Sequence, residues 1–147
     1  MTDVLISGPT RLEHLSPIEC WSLLADSPLG RIAAEGSEGI ELLPVNHAVD
    51  RHRIVLRTEA DGRLHQAADG RELVFEADGW DEHSAWSVVV RGTARPLEQT
   101  DEVRRAATLG IQAWAPVESD VFLELEPTAV TGRRIVRRHR GEAPWYW

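Results

Sequence analysis

Alternation with a period of two recurs along this chain more than any other pattern, and it points to sheet. Glu72–Asp78 places Leu73, Phe75 and Ala77 on one face. Trp86–Ala94 carries Trp86, Val88, Val90 and Ala94 on one side and Ser87, Val89, Arg91 and Thr93 on the other. Val121–Glu126 sets Val121, Leu123 and Leu125 against Glu124 and Glu126. Such runs are half-buried strands, because successive side chains point to opposite faces. Leu29–Glu35, Ile40–Val49, Arg53–Thr58 and Ala129–Val136 add shorter strand-like segments, separated by turns such as Gly36-Ser37-Glu38-Gly39. Helical signals are few. Ser16-Pro17-Ile18-Glu19 is a capping box opening a helix that Ser27-Pro28 stops, Thr100-Asp101-Glu102 reads as the cap of a second, and Gly62-Arg63-Leu64 as a short start. Six or seven strands joined mainly by turns, with two or three short helices, predict a mainly β protein: a mostly antiparallel β-barrel or sandwich with a few short helices.

At 147 residues the chain is long enough for one domain, burying roughly 70% of its unfolded surface. Its one cysteine, Cys20, excludes an intramolecular disulfide framework and is expected as a small packed residue of the first helix. No apolar run reaches the ~20 residues of a membrane span, and no basic-then-apolar leader opens the chain. A soluble, cytoplasmic protein that engages no membrane is the expectation. The net charge of −8 argues against nucleic acid as a partner, since a polyanion needs a basic footprint. Charge is uneven, however: residues 1–132 hold 11 Arg against 23 acids, and residues 133–147 hold 5 Arg against Glu142. Residues 1–135 read as the domain and 136–147 as an Arg- and Trp-rich C-terminal tail. The run Arg133–Arg140 reads as a charged edge strand leading into that tail, or as a groove for an anion.

Several chemistries find no support. The chain has no Gly-x-Gly-x-x-Gly, P-loop, His-Glu-x-x-His or serine nucleophile elbow. His14, His47, His52, His65, His83 and His139 lack metal-ligand spacing, so no metal is expected. No residue can be named as catalytic. What remains is the hairpin Pro44–Thr58, whose second strand ends in Arg57-Thr58 just before the helix start at Arg63. A hydroxyl, two guanidinium groups and helix-terminal amides close together would hold a phosphate without a metal.

Leu43-Pro44-Val45-Asn46, Arg57-Thr58, Arg63-Leu64, Trp86-Ser87-Val88-Val89-Val90-Arg91-Gly92, Pro127-Thr128 and Thr131-Gly132-Arg133-Arg134-Ile135 follow in order from about Ser16 to Ile135. This ordered set resembles the pyridoxamine 5′-phosphate oxidase-like, FMN-binding split-barrel family, and most of all its short actinobacterial members. The resemblance implies a split barrel that forms a homodimer with FMN at the subunit interface. It implies an oxidoreductase passing hydride or electrons to a small-molecule substrate. Pro44, Val45 and Asn46 would lie against the isoalloxazine ring, Arg57, Thr58 and Arg63 would hold the phosphate, and Trp86 and Ser87 would line the cleft. Trp86, Trp114 and the terminal aromatics would centre the dimer interface. The sequence departs from the family at Asp61-Gly62-Arg63, where Gly-Thr-Lys is usual, at His47, where tyrosine is common, and at Ala85, which replaces a glycine. Its end also differs from the Arg/His segment with which longer members read pyridoxal phosphate. Alternatives are the same fold using the deazaflavin F420 or haem, with the arginine-rich tail serving an acidic cofactor, and a non-catalytic flavin-binding module.

Overall fold

The structure, a computed structural model, describes residues 10–60, 62–67, 70–112 and 120–137. Its elements follow in the order β1 (Thr10–His14), α1 (Pro17–Ala25), β2 (Leu29–Gly36), β3 (Gly39–Asp50), β4 (Arg53–Glu59), α2 (Arg63–Ala67), β5 (Glu72–Trp80), β6 (Ser84–Pro96), α3 (Thr100–Ala107) and β7 (Asp120–Arg137). Every strand pairing is antiparallel. The sheet runs β1-β7-β4-β3-β2-β5-β6, and β6 pairs back onto β7. That last pairing closes β2 to β7 into a barrel, with β1 laid along the far half of β7. Among the described residues no helix is long and apolar enough to cross a membrane.

Alternation fills the barrel. Ile32, Ile54, Leu56, Leu73, Phe75, Val88, Val90, Leu123 and Leu125 are fully buried inside it. Helix α1 adds Cys20, Trp21 and Leu24 to the same core. Its capping box is formed: the Ser16 hydroxyl accepts from the Glu19 N–H, and the Glu19 carboxylate accepts from the Ser16 N–H. The approach is so close that a Cβ at Gly132 would sit 2.6 Å from Cys20 Sγ. Burial pushes the Cys20 thiol above its ordinary pKa, the opposite of what a reactive thiol needs.

Four expectations change. Val121–Glu126 and Ala129–Val136 are one strand of 18 residues, β7. It continues through Pro127 because a bulge against Arg91/Gly92 absorbs the irregularity, and a ladder can accept a proline at a bulge. Arg133–Val136 is no edge: β1 lies on one side of it and β6 on the other. Thr100 is not a cap; α3 begins at Thr100, and its N-cap, Gln99, makes no side-chain cap bond. The acids Asp101 and Glu102 do occupy the first turn, where the helix dipole favours them. Strand β1 has no counterpart in the sequence reading, since Thr10–His14 is mostly polar and exposed and does not alternate cleanly. Trp114 and residues 138–147, including the terminal aromatics, lie outside the described residues.

The β3–β4 turn carries two consecutive left-handed residues that are not glycine, Arg51 (φ 53°) and His52 (φ 57°). Positive φ at both central residues matches the twist of a two-residue hairpin, but it disfavours a side chain. The His52 ring stacks on Trp21 of α1 at 5.3 Å and 4° between planes, which helps to hold the turn.

Candidate functional site

Directly paired residues of antiparallel strands share a face, so the pairing partners locate each expected site residue. Val45 is buried in the barrel core. Pro44 points outward, paired with Arg31 of β2. Asn46 and Arg57 also point outward, and they converge. Asn46 Nδ2 donates to the Gln112 carbonyl at 2.9 Å, and Arg57 Nη1 donates to the Ile111 carbonyl at 3.2 Å. The Arg57 guanidinium also lies 6.0 Å from the centre of the Phe122 ring. Two N–H donor groups from neighbouring strands therefore meet at one place, on the segment that follows α3.

The other expected phosphate ligands lie elsewhere. Thr58 has the inward parity of Ile54 and Leu56, so it points away from Arg57 although adjacent in sequence. Arg63 stands at the start of α2 with its side chain 75% exposed, 3.4 Å from Glu41 of β3. It borders an open cavity of about 340 Å³ that is also lined by Glu35, Glu38, Glu41 and Arg71. The Gly62 N–H is spent on the Glu59 carbonyl at 3.1 Å. Helix α2 is five residues long, so its terminus offers little field for an anion. A compact clamp of Arg57, Thr58 and Arg63 is not what a single chain presents. Trp86 packs on the core, its indole over Gly79, where a Cβ would sit 2.8 Å from Nε1. Ser87 is on the outer face between Asp78 of β5 and Arg133 of β7.

His47 takes a role the sequence did not announce. It is buried with its Nε2–H donating to the Leu24 carbonyl at 2.9 Å and its edge against Phe75 at 4.8 Å. That bond sets the tautomer and leaves Nδ1 buried without a hydrogen-bond partner. Burial holds the imidazole below its ordinary pKa, partly offset by the Leu24 carbonyl.

The second unannounced group is on the outer face of β2 and β5. Arg31 lies 3.2 Å from Glu76 and 3.4 Å from Asp78. Burial, then the neighbouring Asp78 carboxylate, push Glu76 up to about 7 against the pull of Arg31. The only sequence signal for this trio is its position on the polar side of alternating strands; the pairing that gathers it spans 45 and 47 residues. Among the described residues no group of three or more His, Cys, Asp or Glu side chains could hold a metal ion.

Residues 16–134 match the family model described as pyridoxamine 5′-phosphate oxidase. The chain belongs to the pyridoxamine 5′-phosphate oxidase-like split-barrel family. It is similar to the uncharacterized protein Rv0080 of Mycobacterium tuberculosis, with 33% identity over 129 residues covering 83% of this chain and 84% of that one. Among solved structures it resembles the FAD binding protein from Mycobacterium smegmatis, with 33% identity, a TM-score of 0.74, and coverage of 83% of this chain and 98% of the other. A conserved protein of unknown function from Corynebacterium diphtheriae aligns at 29% identity and a TM-score of 0.73, covering 85% and 98% of the two chains.

Proposed function

We propose that this chain is a flavin-dependent oxidoreductase that binds FMN and acts as a cytoplasmic homodimer on a small-molecule substrate. The observation that carries this reading is the convergence of Asn46 and Arg57 on the outer side of β3 and β4, beside Pro44. An amide and a guanidinium on neighbouring strands, each bonded here to a backbone carbonyl of residues 111 and 112, would exchange those bonds for the carbonyl and phosphate acceptors of a flavin. When bound, a flavin supplies the hydride chemistry itself, so the chain needs no catalytic triad. Asn46 would orient the ring edge, Arg57 would hold the phosphate, and Pro44 would offer the ring a flat apolar contact. Thr58 and Arg63 stand away from Arg57 within one chain, so any part they take in phosphate binding depends on how a second copy completes the site.

FAD is the second reading, favoured by the similarity to the FAD binding protein from Mycobacterium smegmatis. The absorbance spectrum of the purified protein separates the cofactors. Yellow protein releasing FMN or FAD on denaturation supports a flavin, a Soret band supports haem, and colourless protein that binds F420 but not FMN supports the deazaflavin. Titration then tests the residue. Arg57→Ala is expected to weaken FMN by about 1.5–3 kcal/mol, the scale of a charge-assisted hydrogen bond, and to leave riboflavin, which lacks the phosphate, unchanged. Equal loss of both ligands would make Arg57 structural. Wild-type protein that ignores every flavin would remove the proposal and leave a non-catalytic module.

A further inference from the structure

The segment that follows α3 lies on the two donors that converge outside β3 and β4. Helix α3 is itself fixed to the barrel. Arg105 donates two bonds of 2.7 Å to Asp50 at the end of β3, and Ala106 is buried in one cluster with Val55 of β4. The helix is capped at Thr108, whose hydroxyl donates to the Arg105 carbonyl at 2.6 Å. Gly110 then takes a left-handed conformation (φ 72°), a common way to leave a helix, with nothing within 4 Å of where a Cβ would stand.

Beyond Gly110 the chain is held at three points. The Ile111 side chain is 7% exposed, in the apolar cluster with Val55, Leu97 and Ala106. The Ile111 carbonyl accepts from Arg57 Nη1, and the Gln112 carbonyl from Asn46 Nδ2. Arg57 is paired with Phe122 of β7, and Asn46 stands one rung beyond the His47–Leu56 pair of β3 and β4. One short segment thus engages outward residues of neighbouring strands through both its side chain and its backbone.

We propose that Gly110–Gln112 is a strap that competes with the cofactor for Asn46 and Arg57, and that only a flavin carrying a phosphate displaces it from Arg57. The inference rests on the flavin reading above and adds its control. The acceptors set the rule. A peptide carbonyl and a ring carbonyl are both neutral, so a flavin ring replaces the Gln112 carbonyl at Asn46 on nearly equal terms. At Arg57 the Ile111 carbonyl yields only to a better acceptor. A phosphate is one, because it offers the guanidinium an opposite charge and two oxygens matched to its fork. Riboflavin brings only neutral oxygens, so the Arg57–Ile111 bond persists beside it. Full opening also draws the Ile111 side chain out of its cluster, at a cost set by the apolar area exposed. Gly110 is the hinge, since a glycine moves between left- and right-handed conformations without a steric penalty.

Titration and stopped-flow mixing of the full-length protein with FMN and with riboflavin, read by quenching of flavin fluorescence, test the strap. Ile111→Ala lowers the cost of opening, so FMN is expected to bind on the order of tenfold tighter, with riboflavin unchanged within about twofold. Gly110→Ala strains only the closed strap, because the new Cβ meets nothing and the left-handed φ alone is disfavoured. It is expected to tighten FMN about fivefold, again without riboflavin following. The rate of wild-type FMN binding is expected to level off with rising FMN as opening becomes limiting, and both variants to raise that plateau. Thermal unfolding reads the fold of each variant, and Gly110→Ala decides the matter if Ile111→Ala melts without cooperativity. FMN and riboflavin affinities that shift together, or FMN affinity unchanged in both variants, would overturn the strap and leave the flavin reading standing. Flavins ignored by wild type and both variants would overturn the flavin reading and the strap with it.

Discussion

The two halves of β3 follow one alternation and meet different fates. Toward its C-terminal end the outward residues are covered. Ala48 packs with Val55, Val103, Ala106 and Phe122 beneath α3, and Asp50 accepts two hydrogen bonds of 2.7 Å from Arg105 of that helix. The guanidinium holds the Asp50 carboxyl below its ordinary pKa. Toward the N-terminal end, Ile40 and Leu42 point the same way and remain open to solvent. An outward apolar residue on a barrel is thus a second core where a helix lies over it and an interface candidate where none does. The first case stabilises the fold; the second leaves free energy for a partner.

The comparison breaks most readily on its covered side. Val55 is 1% exposed in the cluster under α3. Val55→Ala is expected to destabilise the protein by roughly 2–3 kcal/mol, the loss of two buried carbons plus the cavity they leave. Denaturant unfolding with an unchanged slope would read it directly. A cost near zero would mean that α3 rests on the barrel without contributing to its stability.

His47 gives the intermediate effect, through pH. Its folded-state pKa is depressed by burial, so the unfolded chain takes the proton first. The stability this neutral ring confers is complete above about pH 6.5, the ordinary histidine value, and declines as pH falls through it. Thermal melts at about pH 7.5 and about pH 5.5 are expected to show a lower Tm in acid for wild type and a smaller drop for His47→Gln. A wild-type Tm that does not fall in acid would place the imidazole in a more hydrated setting than the structure shows.

The smallest effect on folding is expected on the bare half. Leu42→Ser should change unfolding free energy at low protein concentration by no more than about 0.5 kcal/mol, as for most surface substitutions. The same variant should weaken self-association, seen as a higher dimer dissociation constant. Lost stability without lost association would assign Leu42 to the fold rather than to an interface.

Much of the fold was legible in the residues. The alternating runs at Glu72–Asp78 and Trp86–Ala94 are strands in the structure, with Leu73, Phe75, Val88 and Val90 inward as the pattern requires. The Ser16 capping box is formed because its partner sits three residues away, within reach of local geometry alone. Where the reading failed, distant contacts overrode local signals. Val121–Glu126 and Ala129–Val136 read as two strands, yet pairing with β6 on one side and a bulge carry β7 through Pro127. Thr100 looked like a cap, yet the chain enters the helix one residue earlier.

The candidate site was legible only in part. Asn46 and Arg57 do meet, but on backbone carbonyls at 111 and 112 that no side-chain pattern reveals. Arg57 and Thr58, neighbours that read as one clamp, diverge because a strand sends successive side chains to opposite faces.

By itself, then, the sequence determined which positions are inward and which outward, where the first helix begins, and to which family the ordered motifs belong. These follow from interactions within a few residues or from the order of motifs along the chain. Only the tertiary structure decided that β6 closes on β7, that Arg31 is shared by Glu76 and Asp78, that His47 is buried beside Phe75, and that β3 is covered at one end and bare at the other. Each of those depends on which strands become neighbours. That choice is made by burying the whole set of inward side chains at once, and no local stretch of the chain encodes it.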